Sequence, residues 1–143
     1  MTQYRFVHLS DIHFGQERYG DKPVHEDVRL ELLRDCARLC KVYGSANGII
    51  VSGDIAYSGK PEQYKDAGEW LDELAKAVDC PDTAVSVVPG NHDVDVSQIS
   101  PVCKLVHEKF RMMPLAQLDG LLESIEQDST NPLLAKLGAY QEF

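Results

Sequence analysis

Gly48-Ile49-Ile50-Val51 runs straight into Ser52-Gly53-Asp54. The apolar part lies between glycines, is too short for a helix and is rich in branched residues, so it predicts a buried strand ending at a polar turn. Upstream, Tyr4 to Leu9 has the same form and stops at Ser10-Asp11-Ile12-His13. It predicts a first strand. Downstream, Ala84 to Val88 predicts a third, and stops at Pro89-Gly90-Asn91-His92-Asp93. Three expected strands thus end in three polar clusters.

Helical patterns fill the gaps between them. Asp21 can cap a helix with Pro23 in its first turn, after which Val28, Leu32, Cys36, Leu39, Cys40 and Tyr43 recur at helical spacing until Gly44. Pro61 opens a second helix with Tyr64, Ala67, Leu71, Leu74, Ala75 and Val78 on one face and Trp70 at its margin. The alternating order implies right-handed crossovers and an α/β fold, a parallel βαβαβ core with helices on the faces of its sheet. Ligands of such sheets bind beyond the carboxyl ends of the strands, where all three clusters fall.

From Ser100 onward the chain reads as helical. Val102, Val106, Phe110 and Met113 make one stripe, Leu115, Leu118, Leu122 and Ile125 another, and Pro132 restarts a helix carrying Leu133, Leu134, Leu137 and Tyr140. The expected division is an α/β core over residues 1–99 and a helical insertion or cap over residues 100–143. No strand is expected after the third cluster, and the pattern is unfinished at Phe143.

With 143 residues the chain has the length of one domain, able to bury roughly two-thirds of its unfolded surface. Hydrophobic residues at 43% and charged residues at 26% place it among soluble globular proteins, and no apolar run approaches a membrane span. Met1 to Arg5 leads directly into Phe6-Val7-His8-Leu9, without the layout of an export signal. Cys36, Cys40, Cys80 and Cys103 form no CxxC pair, which suits reduced thiols and a cytoplasmic location. A net charge of −9 repels nucleic acid and anionic lipid unless positive charge is concentrated locally. Bound divalent cations would supply that charge. The absence of GxxxxGK[ST] and GxGxxG argues against ATPase and dinucleotide-dependent chemistry.

The clusters hold residues suited to metals. Asp11 and His13 alternate along a strand exit, so a carboxylate and an imidazole can point to one side. Asp54 follows a glycine that permits a sharp turn, and its two oxygens could bridge two ions. Asn91 offers a neutral amide oxygen, which ligates without cancelling the charge of the metal. His92 cannot easily share the direction of its neighbour and is assigned to substrate, with Asp93 as a candidate orienting group. Singly, each cluster also reads as an ordinary solvated turn. His8 reads as a hydrogen-bonded core histidine, and Arg18, Tyr19 and His25 as a pocket border or a solvated loop.

Taken together, Asp11-Ile12-His13, Gly53-Asp54 and Gly90-Asn91-His92-Asp93 resemble the calcineurin-like metallophosphoesterase family in identity, order and placement after strands. The resemblance covers Tyr4 to about Asp93. It implies that Asp11, His13 and Asp54 hold one metal and Asp54 and Asn91 a second, that the metals are manganese, iron or zinc, and that His92 is catalytic. Two departures accompany it. Tyr57 stands where phosphatase members carry an aspartate supporting the catalytic histidine, which resembles the cyclic-nucleotide phosphodiesterase and nuclease side of the family. Downstream histidine ligands, including a Gly-His-x-His cluster, have no counterpart, for only His107 follows His92.

The leading expectation is therefore a metal-dependent phosphoesterase acting on phosphodiesters through a dinuclear centre, as the front part of a larger catalytic domain. The rival expectation is a catalytically incomplete sensor or assembly module of a larger protein. Expected partners are a phosphate-ester substrate, with nucleic acid not favoured by charge, no membrane, and a sheet edge open to pairing with another chain.

Overall fold

The computed structural model describes residues 3–19, 24–126 and 133–143. Three parallel strands, β1 (Phe6–Leu9), β2 (Gly48–Ser52) and β3 (Val85–Val88), form one sheet in that order. Phe6 pairs with Gly48 through to Leu9 with Val51, and Ile49 with Val85 through to Ser52 with Val88. The strands therefore end side by side, and the three loops leaving them start from one edge. Two long helices, α1 (Val24–Tyr43) and α2 (Pro61–Ala77), connect the strands. The expected βαβαβ order is present.

Strand starts differ slightly from expectation. Asn47 exchanges backbone and side-chain bonds with Arg5, so the chain before β1 meets a turn rather than a strand. Residues Asp82–Ala84 form a 3₁₀ turn, which delays β3 to Val85.

Side chains alternate across the sheet. Val7, Leu9, Ile49, Val51, Val85 and Val87 face α1 and α2, where Ile49 and Val51 are fully buried in the core. Phe6, His8, Ile50, Ser52, Ser86 and Val88 lie on the other face and are exposed. Helices on both faces were expected, but among the described residues only one face is covered. The topology explains this: successive crossovers of one hand, advancing in one direction without a reversal of strand order, put both helices on the same side. His8 is hydrogen-bonded, to Ser52 Oγ at 2.8 Å, but on the exposed face rather than in the core.

The expected face of α2 is the buried one, with Tyr64, Ala67, Trp70, Leu71, Leu74 and Ala75 packed into the core. Pro61 occupies its first turn, and the buried Gln63 side chain accepts from the Lys60 and Ser58 backbone N–H groups, satisfying donors that a helix start leaves free. In α1 the seam is narrower than expected. Leu32, Leu33, Cys36 and Cys40 reach the core, whereas Val28, Leu39 and Tyr43 are exposed. A long helix crossing a three-strand sheet meets it along one row of residues four apart. Gly44, at φ +93°, ends this helix with its N–H on the Cys40 carbonyl. The proposed cap at Asp21 and Pro23 lies outside the described residues.

The helical tail comprises α3 (Pro101–Met112), α4 (Leu115–Glu126) and α5 (Gly138–Glu142). Cys103, not Val102, is the buried residue of α3. Leu115 is exposed, and the side chains of Leu122 and Ile125 lie outside the described set, as does Pro132. A 3₁₀ turn over Ala135–Leu137 precedes α5, which returns the chain to the core: the Tyr140 hydroxyl donates to the Val87 carbonyl at 3.1 Å.

A partly buried ion pair joins the segment ahead of α3 to the start of α2. Lys60 Nζ lies 2.8 and 2.9 Å from the two Asp95 oxygens and 2.9 Å from Ser97 Oγ. Burial alone would raise the Asp95 carboxyl, but bonds from Lys60 and Ser97 outweigh it and hold it below its ordinary value. A depressed carboxyl stabilises the fold above its unfolded-state pKa of about 3.9, and the contribution disappears as pH falls through the lower native value. Asp95→Asn should therefore lose urea stability relative to the unmodified protein near pH 7, and the difference should shrink toward about pH 3.

Candidate metal centre

The loops after β1 and β2 run on as a backbone ladder. Asp11 N donates to Gly53 O, His13 N to Asp54 O, Phe14 N to Ile55 O and Tyr57 N to Phe14 O, at 2.8 to 3.2 Å. Phe14 and Ala56 form an isolated parallel bridge. This zipper sets His13 beside Asp54, 3.3 Å apart from Nε2 to Oδ2.

Backbone strain is concentrated here. Asp11, His13 and Asp54 have φ of 57°, 53° and 54°, the left-handed region that side chains other than glycine seldom enter. Such conformations cost on the order of 1–3 kcal/mol each and persist only where the surroundings enforce them. The reward is orientation, since each residue turns out of the strand direction at the sheet edge.

The third loop approaches the second backbone to backbone. A Cβ on Gly53 would lie 3.1 Å from Gly90 Cα, and one on Gly90 would collide with the Asp54 carboxylate and backbone nitrogen. His92 N then donates to Asp54 Oδ1 at 2.9 Å. Its ring nitrogen Nδ1 lies 2.9 Å from the Tyr57 carbonyl, and because a carbonyl only accepts, Nδ1 carries the proton. Nε2 is the nitrogen left for a ligand or a substrate proton.

Tyr57 stacks on the His92 ring with centroids 5.3 Å apart, and the His13 and His92 rings meet at 4.7 Å. Ligand atoms of His13, Asp54 and His92 all lie within 4.8 Å of one another. Two imidazoles and one carboxylate suit zinc, iron or manganese, so these residues fit a divalent metal by their donor chemistry. Burial by itself would raise the Asp54 carboxyl, yet the His92 N–H and the neighbouring His13 hold it below the ordinary range. It is ionised, as ligation requires.

The structure brings together His13, Asp54 and His92. Asp11 begins the same loop, but its carboxylate is exposed and outside this group, and Asn91 is exposed at the tip of the third loop. Sequence reasoning set His92 apart for substrate; the fold places it within ligand distance as well.

Asp93 does not orient His92 through any bond found among the described residues. Fully buried, its Oδ2 accepts from Ile55 N at 3.1 Å and Gly90 N at 2.8 Å, and its Oδ1 from Ala56 N at 2.7 Å and Tyr64 Oη at 2.9 Å. Burial first, and the Asp93 charge second, push the Tyr64 hydroxyl far above its ordinary pKa, so it remains a donor. The signal for Tyr64 was absent from the sequence, where it reads as one more apolar position on α2.

A family model described as calcineurin-like phosphoesterase matches residues 4–138. The chain belongs to the calcineurin-like phosphoesterase family. It is also similar to a curated protein of Bacillus subtilis (strain 168), the "uncharacterized metallophosphoesterase-like protein YydB", with 27% identity over 139 residues, which is 97% of this chain and 27% of that protein. The chain thus spans about a quarter of the length of that relative. Among calcineurin-like phosphoesterases metal dependence is general, and the donor set at the strand ends accords with it.

The Asp93 strut gives a graded test within this family member. Asp93→Ala strands backbone donors from two loops at a buried position, and a loss of at least about 3 kcal/mol in urea unfolding is expected. Tyr64→Phe, which removes one of the four donors, should cost about 1 kcal/mol.

Proposed function

We propose that the protein hydrolyses phosphodiesters with two divalent metal ions, Asp11, His13, Asp54 and Asn91 being the metal-holding residues and His92 the catalytic one. The observation that carries this reading is the convergence of His13, Asp54 and His92 from three separate strand ends. Asp11 and Asn91 lie on the same loops and are exposed. Metals held there would supply Lewis-acid stabilisation of phosphoryl oxygens.

The residues of the chain divide the remaining work. His92, its Nδ1–H fixed on the Tyr57 carbonyl, presents Nε2 toward the substrate side, and in the protonated form donates to the departing oxygen. The Tyr57 ring stacked on His92 holds the ring plane. The diester preference rests on Tyr57 standing where the phosphatase members resembled carry an aspartate. Residues 1–99 are the proposed α/β core and 100–143 a cap within a larger catalytic domain, in line with the greater length of the Bacillus relative. Four free cysteines support a reducing, cytoplasmic setting.

With manganese present, bis(4-nitrophenyl) phosphate should be hydrolysed faster than 4-nitrophenyl phosphate. His92→Ala should lower kcat by about 10²–10⁴-fold and Asp54→Ala should abolish turnover. A fully active Asp54→Ala protein would overturn the assignment. A second reading, an inactive sensor or assembly module, is favoured by the exposure of Asp11 and Asn91. Calorimetry with manganese separates the two, since two tight sites in this chain contradict the second reading.

A further inference from the structure

α5 and the 3₁₀ turn ahead of it meet the fold on both sides of the loop that carries His92, residues 89–93. Ahead of the loop, the Tyr140 hydroxyl donates to the Val87 carbonyl on β3 at 3.1 Å. Behind it, Asp95 N donates to the Lys136 carbonyl at 2.8 Å. Two hydrogen bonds from one short stretch of chain thus bracket the third loop.

A third contact acts through a side chain. The Tyr64 ring, 3% exposed, meets the Phe143 ring at a centroid distance of 5.3 Å and the Tyr140 ring, edge-on, at 6.2 Å. Tyr64 Oη donates to Asp93 Oδ1, and the other oxygen of Asp93 accepts from Gly90 N inside the loop. Burial first, and the charge of Asp93 second, raise the Tyr140 hydroxyl above its ordinary pKa, so it keeps the proton it donates to Val87.

Each contact limits a different motion. The bonds to Val87 and Asp95 fix the two ends from which the loop springs. Aromatic packing against Tyr64 restricts the swing of its ring, and with it the position of the hydroxyl that Asp93 uses. Asp93 is fully buried, so its bonds to Tyr64 and Gly90 form in a low-dielectric setting where they are strong. Ligand geometry tolerates little slack, because donor groups must be held within about 0.5 Å of their working positions.

We propose that residues 136–143 are a positioning element for the third loop, with Tyr140 and Phe143 setting where His92 sits relative to Asp54. They act through β3, Asp95 and the bond between Tyr64 and Asp93, without belonging to the donor group of His13, Asp54 and His92. The bearing on metal binding rests on the proposed role of that group; the placement of the loop does not.

Amide hydrogen exchange in the metal-free protein reads loop placement directly, since Gly90 N is held by Asp93 and His92 N by Asp54. In the double variant Tyr140→Ala, Phe143→Ala these two amides should exchange at least about tenfold faster relative to those of Ile49 and Val51 in β2. Manganese affinity should fall by about tenfold in the same variant. Phe143→Ala alone, at a position 39% exposed, keeps the test alive if the double variant fails to fold. It should accelerate the same two amides about threefold, and Phe143→Leu, which keeps an apolar side chain against Tyr64, should leave them unchanged. Loop amides that keep pace with those of β2, whether both rise or neither does, overturn the proposal. So does an unchanged manganese affinity in a protein that binds the ion. A protein that binds no manganese counts against the metal reading alone, because the exchange comparison needs no metal and still decides the role of residues 136–143.

Discussion

A single buried carboxylate, Asp93, ties two loops into one rigid edge. Its oxygens take backbone donors from Ile55 and Ala56 in the second loop and from Gly90 in the third, with the Tyr64 hydroxyl closing the set. A charged group in the core is tolerable only when its lone pairs are filled, and here four donors fill them. Because three of those donors are backbone, the constraint acts on loop position and leaves the side chains of His92 and Asp54 available. The glycines at 53 and 90 make the approach sterically feasible.

The first loop joins the same assembly by a different device. Its backbone continues the strand ladder past the end of the sheet, so His13 is placed by main-chain bonds to Asp54 and Ile55 carbonyls. Left-handed backbone at Asp11, His13 and Asp54 is the local cost of turning three side chains out of the strand direction. Backbone bonds and one carboxylate thus define the site before any metal enters. Such preorganisation is what a ligand shell requires, since side chains that had to be ordered by the ion would weaken its binding.

Much of this was legible in the chain itself. The three strands, the two crossover helices and the placement of the polar clusters follow from periodicity and turn residues, and α2 buries the face its pattern marks. Periodicity could not show that, among the described residues, β2 is covered on one face alone, because a run such as Ile49-Ile50-Val51 looks the same whether one face is packed or two. Nor could it tell which row of α1 meets the sheet, since Val28 and Leu39 fit the apolar repeat and still end exposed. For the site, the residue types at the clusters were readable, but the roles of Asp93 and Tyr64 were not, as both depend on contacts between segments 29 to 38 positions apart.

By itself the sequence determined the order of elements and the chemical kind of donor at each strand end, because both are written in local spacing and residue type. Only the tertiary structure decided which donors meet. His13, Asp54 and His92 converge through a ladder, two glycines and a shared carboxylate strut, while Asp11 and Asn91 remain exposed on the same loops. The reason is physical: convergence depends on distances between loops far apart in the chain, and those distances are set by packing and backbone hydrogen bonds that no single segment encodes.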